Sequence, residues 1–228
     1  MRLAAALWVV VVGWSLVLGA SAFAAEPLFK PVSGQTITGT GGASSLLSGQ
    51  HDEVACEKDA FTGVVSNALL IGGIVIHYLN CTWRQGQPAS GCAASSVGAP
   101  EGLILTKTLH AILGLVLPDS GSGVGLLFLP VNGVTFTTFA TAQNTDKEDC
   151  FEESAATGNF AGLVTPIGIS STTLKVIIAL TGGRSQEIKD IDLTHGLGLV
   201  LPKFVVGSTT ALVEQTANFT FSVPTEVT

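Results

Sequence analysis

Three short stretches gather side chains that could do chemistry. In "HDE", His51 stands beside Asp52 and Glu53, the residue types of a metal site or an acid–base pair. Adjacent residues on an extended chain point to opposite faces, so this trio converges poorly and reads as a solvated loop. In "DKEDCFEE", Asp146, Glu148, Asp149, Glu152 and Glu153 supply the oxygen ligands that calcium favours. The ligand order of a calcium-binding loop is absent, which leaves a charged, hydrated segment. In "KDIDLTH", Asp190 and Asp192 are two apart and share a strand face near His195. Two carboxylates on one face are what a glycosidase needs. The remaining histidines are His110 and His77, and His77 lies within the apolar run "GGIVIHYLNC" and reads as a packed core residue.

Around these stretches the motifs of better-defined sites are missing. There is no G-x-S-x-G elbow, no glycine-rich phosphate loop with a lysine and no H-E-x-x-H. The chain therefore reads as non-enzymatic, without a catalytic constellation, metal site or cofactor. A hydrolase built on Asp190, Asp192 or His195 is the enzymatic alternative.

The N-terminus reads as an export signal. Arg2 precedes an uncharged apolar run that closes in the small residues "GASAFAA". This is the order of a secretory leader, with cleavage after Ala24 or Ala25. The run is long enough to cross a bilayer, so an uncleaved anchor is the alternative. Lys107, Asp119 and Lys175 interrupt the later apolar stretches, and no further transmembrane helix is expected. Removing residues 1–25 leaves about 200 residues, a usual size for one all-β domain. Residues 26–50 form a Gly/Ser/Thr-rich lead-in in which "GQTITGTG" could be a first strand, and residues 51–228 form the single β-domain.

An exported chain with an even number of cysteines reads as disulfide-bonded. The four are Cys56, Cys81, Cys92 and Cys150. The spacing favours Cys81–Cys92, across the turn-rich "TWRQGQPASG". That leaves Cys56–Cys150, a long loop whose closure stabilises by about 4–5 kcal/mol in the chain-entropy treatment. None of the spacings is that of a zinc knuckle.

Charge narrows the partners. Ten basic residues face 17 acidic ones, for a formal charge of −7 that becomes −8 when Arg2 leaves with the leader. Such a balance argues against nucleic acid and against anionic membrane surfaces. Charged residues make up 12% of the chain, so Ser, Thr, Gly and Asn must do much of the solvation.

Apolar residues alternate with period two. In "NFTFSV", Phe219, Phe221 and Val223 oppose Asn218, Thr220 and Ser222. In "TTLKVIIALT", Leu174, Val176, Ile178 and Leu180 oppose Lys175. "VTFTTFATA" sets Val134 and Phe136 against Thr135 and Thr137, and "GLILTKTLH" sets Leu103 and Leu105 against Ile104, Thr106 and Thr108. The β-branched "GGIVIHYLNC" predicts a central strand buried on both faces. Gly, Pro and polar clusters punctuate the chain every ten or so residues, the rhythm of a sandwich or barrel.

"GLVLP" occurs at Gly114–Pro118 and at Gly198–Pro202. A shorter L-x-L-P recurs at Leu127–Pro130, and related prolines stand at Pro166 and Pro224, so the repeat does not mark half of a duplicated domain. Proline cannot donate to a β-ladder, and these positions read as strand ends or edges. Asn80 and Asn218 each head an N-x-T glycosylation sequon.

The order of the pieces resembles a known group. "VACEKDAFTGVVS", "IHYLNC" with "GCAAS", "PEGLILTKTLHAILG", "VGLLFLP", "GNFAGLVTPIG" and "LTGGRSQEIKDI" follow one another as in secreted β-rich proteins of unknown function from actinobacteria and other environmental bacteria. The resemblance covers roughly Val54–Ile191 and implies export and a β-rich fold, without an activity. Cys150 falls later here than the corresponding cysteine of that group.

These observations predict an all-β, antiparallel β-sandwich or flattened β-barrel with two disulfides. The expected function is that of a secreted or cell-envelope protein acting in binding or surface structure, with an extracellular or envelope partner. Self-association through edge strands is a further possibility. A carrier of small apolar ligands in a barrel is the alternative.

Overall fold

The computed structural model describes residues 26–31, 34–48, 52–85, 92–117, 123–141, 153–181, 185–193 and 198–228. No helix occurs among them. After a short β1 (Phe29–Lys30), the chain runs up and down in eight staves, each interrupted or bent along its length except the last. The first is β2 (Thr36–Gly41) and β3 (Ser44–Ser48); the second is β4 (Asp52–Cys56) and β5 (Lys58–Val65). The third is β6 (Leu70–Leu79) and β7 (Thr82–Gln85), and the fourth is β8 (Cys92–Ser95), β9 (Ile104–Leu105) and β10 (Leu109–Val116). The fifth is β11 (Gly123–Pro130) and β12 (Thr135–Thr141), and the sixth is β13 (Glu153–Gly158) and β14 (Phe160–Thr165). The seventh begins as β15 (Ser171–Ile178). It leaves through β16 (Leu180–Thr181), β17 (Ser185–Gln186), β18 (Ile191–Leu193) and β19 (Gly198–Val200), and returns as β20 (Phe204–Val206). The eighth is the unbroken 19-residue β21 (Thr209–Val227).

Two rings of antiparallel ladders result. One runs β2–β5–β6–β10–β11–β14–β15–β21 and back to β2. The other runs β3–β4–β7–β8–β12–β13–β20–β21 and back to β3. The sheet is therefore a closed barrel, and closure removes the free edges that a sandwich would leave in these rings.

Alternation fills the interior. On β21 the inward residues are Ala211, Val213, Gln215, Ala217, Phe219 and Phe221. Phenylalanine rings pass contact along the barrel: Phe61 to Phe219 at 4.5 Å, Phe219 to Phe128 at 6.2 Å, Phe128 to Phe160 at 5.2 Å, and Phe160 to Phe136 at 5.0 Å. These spacings suit offset or tilted aromatic pairs. Room for them comes from β2, whose inward positions Ile37, Gly39 and Gly41 alternate with outward threonines. A β-carbon on Gly39 would collide with the ring of Phe61. One buried cluster spans both rings, and a smaller one lies outside. There Ile188, Ile191 and Leu193 cover Val116, Leu127 and Ala161.

The two copies of "GLVLP" meet through this outer layer. Gly114 lies in β10 and Gly198 opens β19, while β18 pairs with both strands. Ile191 and the Asp192 carbonyl press against Gly114, where a side chain would not fit. Pro130 ends β11 and Pro202 follows β19, as strand-ending prolines should. Pro224 sits within β21 instead. It falls in a large bulge, between Thr220↔Thr173 and Thr225↔Ser171, where no ladder bond is asked of it.

Several expectations need correction. His77 is exposed on the outer face of β6, so that strand is buried on one face: Ile74, Ile76 and Tyr78 point in. Val223 and Val134 are 42% and 67% exposed, because the first lies within the β21 bulge and the second stands in the turn before β12. Ile104 and Thr106 form the inward side of their segment, where the Ile76 amide donates to Thr106 Oγ1 at 2.9 Å.

The described disulfide is Cys56–Cys81. It replaces both expected pairings, Cys81–Cys92 and Cys56–Cys150. The cause is register: Ala55 pairs with Thr82 between β4 and β7, which sets the next residues, Cys56 and Cys81, opposite one another. No described cysteine is free, and Cys150 lies outside the described residues. The bridge closes a separation of 25 residues, worth about 3–4 kcal/mol in the chain-entropy treatment. Peptide mapping without reductant should recover Cys56 linked to Cys81, and the Cys56→Ser/Cys81→Ser variant should lose stability on that scale in urea titration. A Cys81–Cys92 peptide as the main species would contradict the register.

Candidate functional site

Only part of the residues that sequence reading singled out can be placed. His51, Asp146, Glu148, Asp149, Glu152 and His195 lie outside the described residues. Asp52 opens β4, and Glu153 opens β13 in an exposed position. Asp190 precedes β18 and Asp192 lies in it, both half-buried on the outer layer. His110 is half-buried on β10. Among the described residues, no three of His, Cys, Asp and Glu are grouped as a metal site would require.

A different group stands out at the junction of the two rings. Asp59 follows the corner between β4 and β5, and its strand alternates so that Asp59, Phe61, Gly63 and Val65 point inward. Tyr78 is its ladder partner on β6, and Gly41 is its partner on β2. Gln215 lies where β21 exchanges β3 for β2, between Glu214↔Ser45 and Ala217↔Gly41. Thus three polar side chains point into an apolar interior at one level.

They form a chain. The Tyr78 hydroxyl donates to Gln215 Oε1 at 3.2 Å, and Gln215 Nε2 donates to Asp59 Oδ2 at 2.9 Å. The Gly41 amide also donates to the Asp59 carboxylate. Asp59 is 2% exposed, and its Oδ1 has no hydrogen-bond partner. A β-carbon on Gly41 would occupy the space of that carboxylate, so glycine is needed there. Burial lifts the Asp59 carboxyl from 3.8 to about 6, against the lowering effect of the Gln215 and Gly41 hydrogen bonds. Burial, and then the nearby Asp59 charge, hold the Tyr78 phenol well above its ordinary value.

Two spaces flank the chain. A partly open cavity of about 50 Å³ is lined by Tyr78, Cys56, Phe136 and Phe160, among others. An open groove of about 700 Å³ lies over the corner between β2 and β3, where Gly42, Ala43, Glu53, Lys175 and Asn218 reach it, with Gln215 at its floor. The neighbouring corner is tied by the Cys56–Cys81 bridge. There Asn80, with φ of 54°, donates its amide to Glu57 Oε2 at 2.6 Å.

Asp59, Gln215 and Tyr78 were not legible as a site, because each lies alone in the sequence. The available signal was polarity on an apolar face: period-two reading of "ALVEQTANFTF" already places Gln215 with Val213 and Phe219.

Among the described residues no cation neutralises this carboxylate, so the chemistry available is proton binding. The folded carboxyl holds its proton more tightly than the unfolded one. Its contribution to stability is therefore full below about pH 3.8 and is lost as pH rises through about 6. The loss amounts to roughly 2–3 kcal/mol. Urea titrations should show the wild type falling behind Asp59→Asn as pH rises from 4 to 8. Parallel pH curves for the two proteins would contradict this.

No family model, curated protein or solved structure matches this chain, and what it does must be argued from its own residues.

Proposed function

We propose that the chain is an exported, non-enzymatic envelope or extracellular protein that acts in binding or surface structure through the outside of its barrel. The observation that carries this reading is how the interior is occupied. Phe29, Phe136, Phe139 and Phe219 are fully buried there among Ile, Leu and Val side chains. A pocket for a small organic ligand takes roughly 300–1,000 Å³, whereas the cavity beside Tyr78 measures about 50 Å³. That is room on the scale of a water molecule or two, and it weighs against an apolar-ligand carrier. Space of ligand size lies on the outer surface, in the groove of about 700 Å³.

Export is supported by the leader-like N-terminus, by the resemblance to secreted β-rich proteins, and by the Cys56–Cys81 bridge, which suits an oxidising compartment. Closure of the rings leaves the outer layer as a place for self-association through strand pairing. There β19 pairs with β18 alone among the described strands, and Leu199 is 54% exposed.

Native mass spectrometry of the oxidised protein from its own host is the test. The expected spectrum is the chain mass without a small apolar molecule, as a single species or as a series of oligomers. A stoichiometric lipid-like adduct would overturn this reading in favour of the carrier.

A further inference from the structure

We propose that Asp59 is a proton-binding site that controls the corner at Gly42–Ala43: the protonated acid keeps the corner closed, and the carboxylate opens it to water. The geometry supplies both halves of such a device. The orphaned Oδ1 has no donor in the closed barrel, so a charge formed there lacks the hydration that it has in water. Beside it lies the least-tied part of the first stave. β3 pairs with β21 as far as Ser45↔Glu214, and β2 resumes at Gly41↔Ala217. Between them the Gly42 amide donates to the Thr216 carbonyl at 3.3 Å. Gln215, which holds Asp59, is also the floor of the groove over this corner. Displacing Gly42–Ala43 would therefore bring water from the groove to the carboxylate along the Gln215 side chain. The gain is hydration of the charged form alone, which makes the opening depend on pH.

The surroundings assign the effect to this acid. Gly41 faces it from β2, Tyr78 from β6 and Gln215 from β21; Tyr78 is the titratable group among them. Among the other charged or titratable side chains described on these and the adjoining strands, none is fully buried, and His110 and Glu226 are half-buried. Glu57, Lys58, His77, Lys175 and Glu214 are exposed, and Glu53 is half-buried at the groove. The bonds from Gln215 and Gly41 occupy one carboxylate oxygen, so they position the acid without satisfying the other.

The chain has one tyrosine, so ¹³C labelling of tyrosine gives one resonance that reports on the buried chain. Histidine side chains as a class ionise in the same range, so His77→Gln is the control. The Tyr78 Cζ resonance and the Asp59 carboxyl carbon should titrate together with a midpoint near 6. Asp59→Asn should abolish the Tyr78 movement, and His77→Gln should leave it. Amide exchange at Gly42, Ala43 and Thr216, corrected for its intrinsic pH dependence, should accelerate by roughly 50-fold between pH 4 and 8, the linkage ceiling set by the two carboxyl values. The Asp59→Asn protein should show no such acceleration. Absence of a carboxyl midpoint between pH 4 and 8 would overturn the proposal. So would a titration that leaves the corner amides unchanged. Both readouts exist in the wild type, so the outcome stands even if the variant fails to fold.

Discussion

Closure of the barrel rests on β21. This one strand borders both rings, and across Ala217–Thr220 it pairs with β2 on one side and β15 on the other. Every other stave breaks, bends or detours where the rings join. β21 alone is continuous through that level. Its inward face carries Val213, Gln215, Ala217 and Phe219 from one ring to the next, so the core is continuous because the strand is. Where the seventh stave departs into the outer layer, β21 would lose its neighbour. There the Gln186 side chain substitutes for a strand: its amide donates to the Val213 carbonyl at 3.0 Å and its oxygen accepts from the Val213 amide at 3.2 Å. Backbone groups left unpaired in such a position would be costly.

The same junction concentrates the polar groups. A stave that breaks leaves ladder bonds to be replaced, and hydroxyls do so in the fourth and fifth staves. Thr106 takes the Ile76 amide, and Ser96 and Thr137 bond the backbone of Leu105. Each of those groups has a hydrogen-bond partner. Asp59 differs, since one of its oxygens is buried without a partner. A buried acid that lowers stability at neutral pH is poorly explained as a structural element. Strongly perturbed groups in such settings concentrate at functional sites, which links the proton-binding proposal to a protein whose contacts with its surroundings lie on the outside.

Local pattern was legible where it was sufficient. Leu174, Val176 and Ile178, with Phe219 and Phe221, announce their inward face by alternation alone, and the structure places them there. Sandwich and barrel share that alternation, so closure could not be read from it. Pairing between distant strands was equally invisible. Cys81 is near Cys92 in sequence but opposite Cys56 in register. His77 was placed inside because its neighbours are β-branched, yet one residue of alternation puts it outside. Thr106 shows the reverse: a polar residue faces inward because a broken stave needs its oxygen. Asp59, Tyr78 and Gln215 become a site only when β5, β6 and β21 meet at one level.

The most direct test of this account is site-resolved amide exchange along Ala217–Thr220. Successive amides of an antiparallel strand point to alternate neighbours. A barrel closed on both sides of β21 predicts protection at all four positions. Protection at every second residue, with the intervening amides exchanging as in an unstructured chain, would show an open edge and contradict the closed fold.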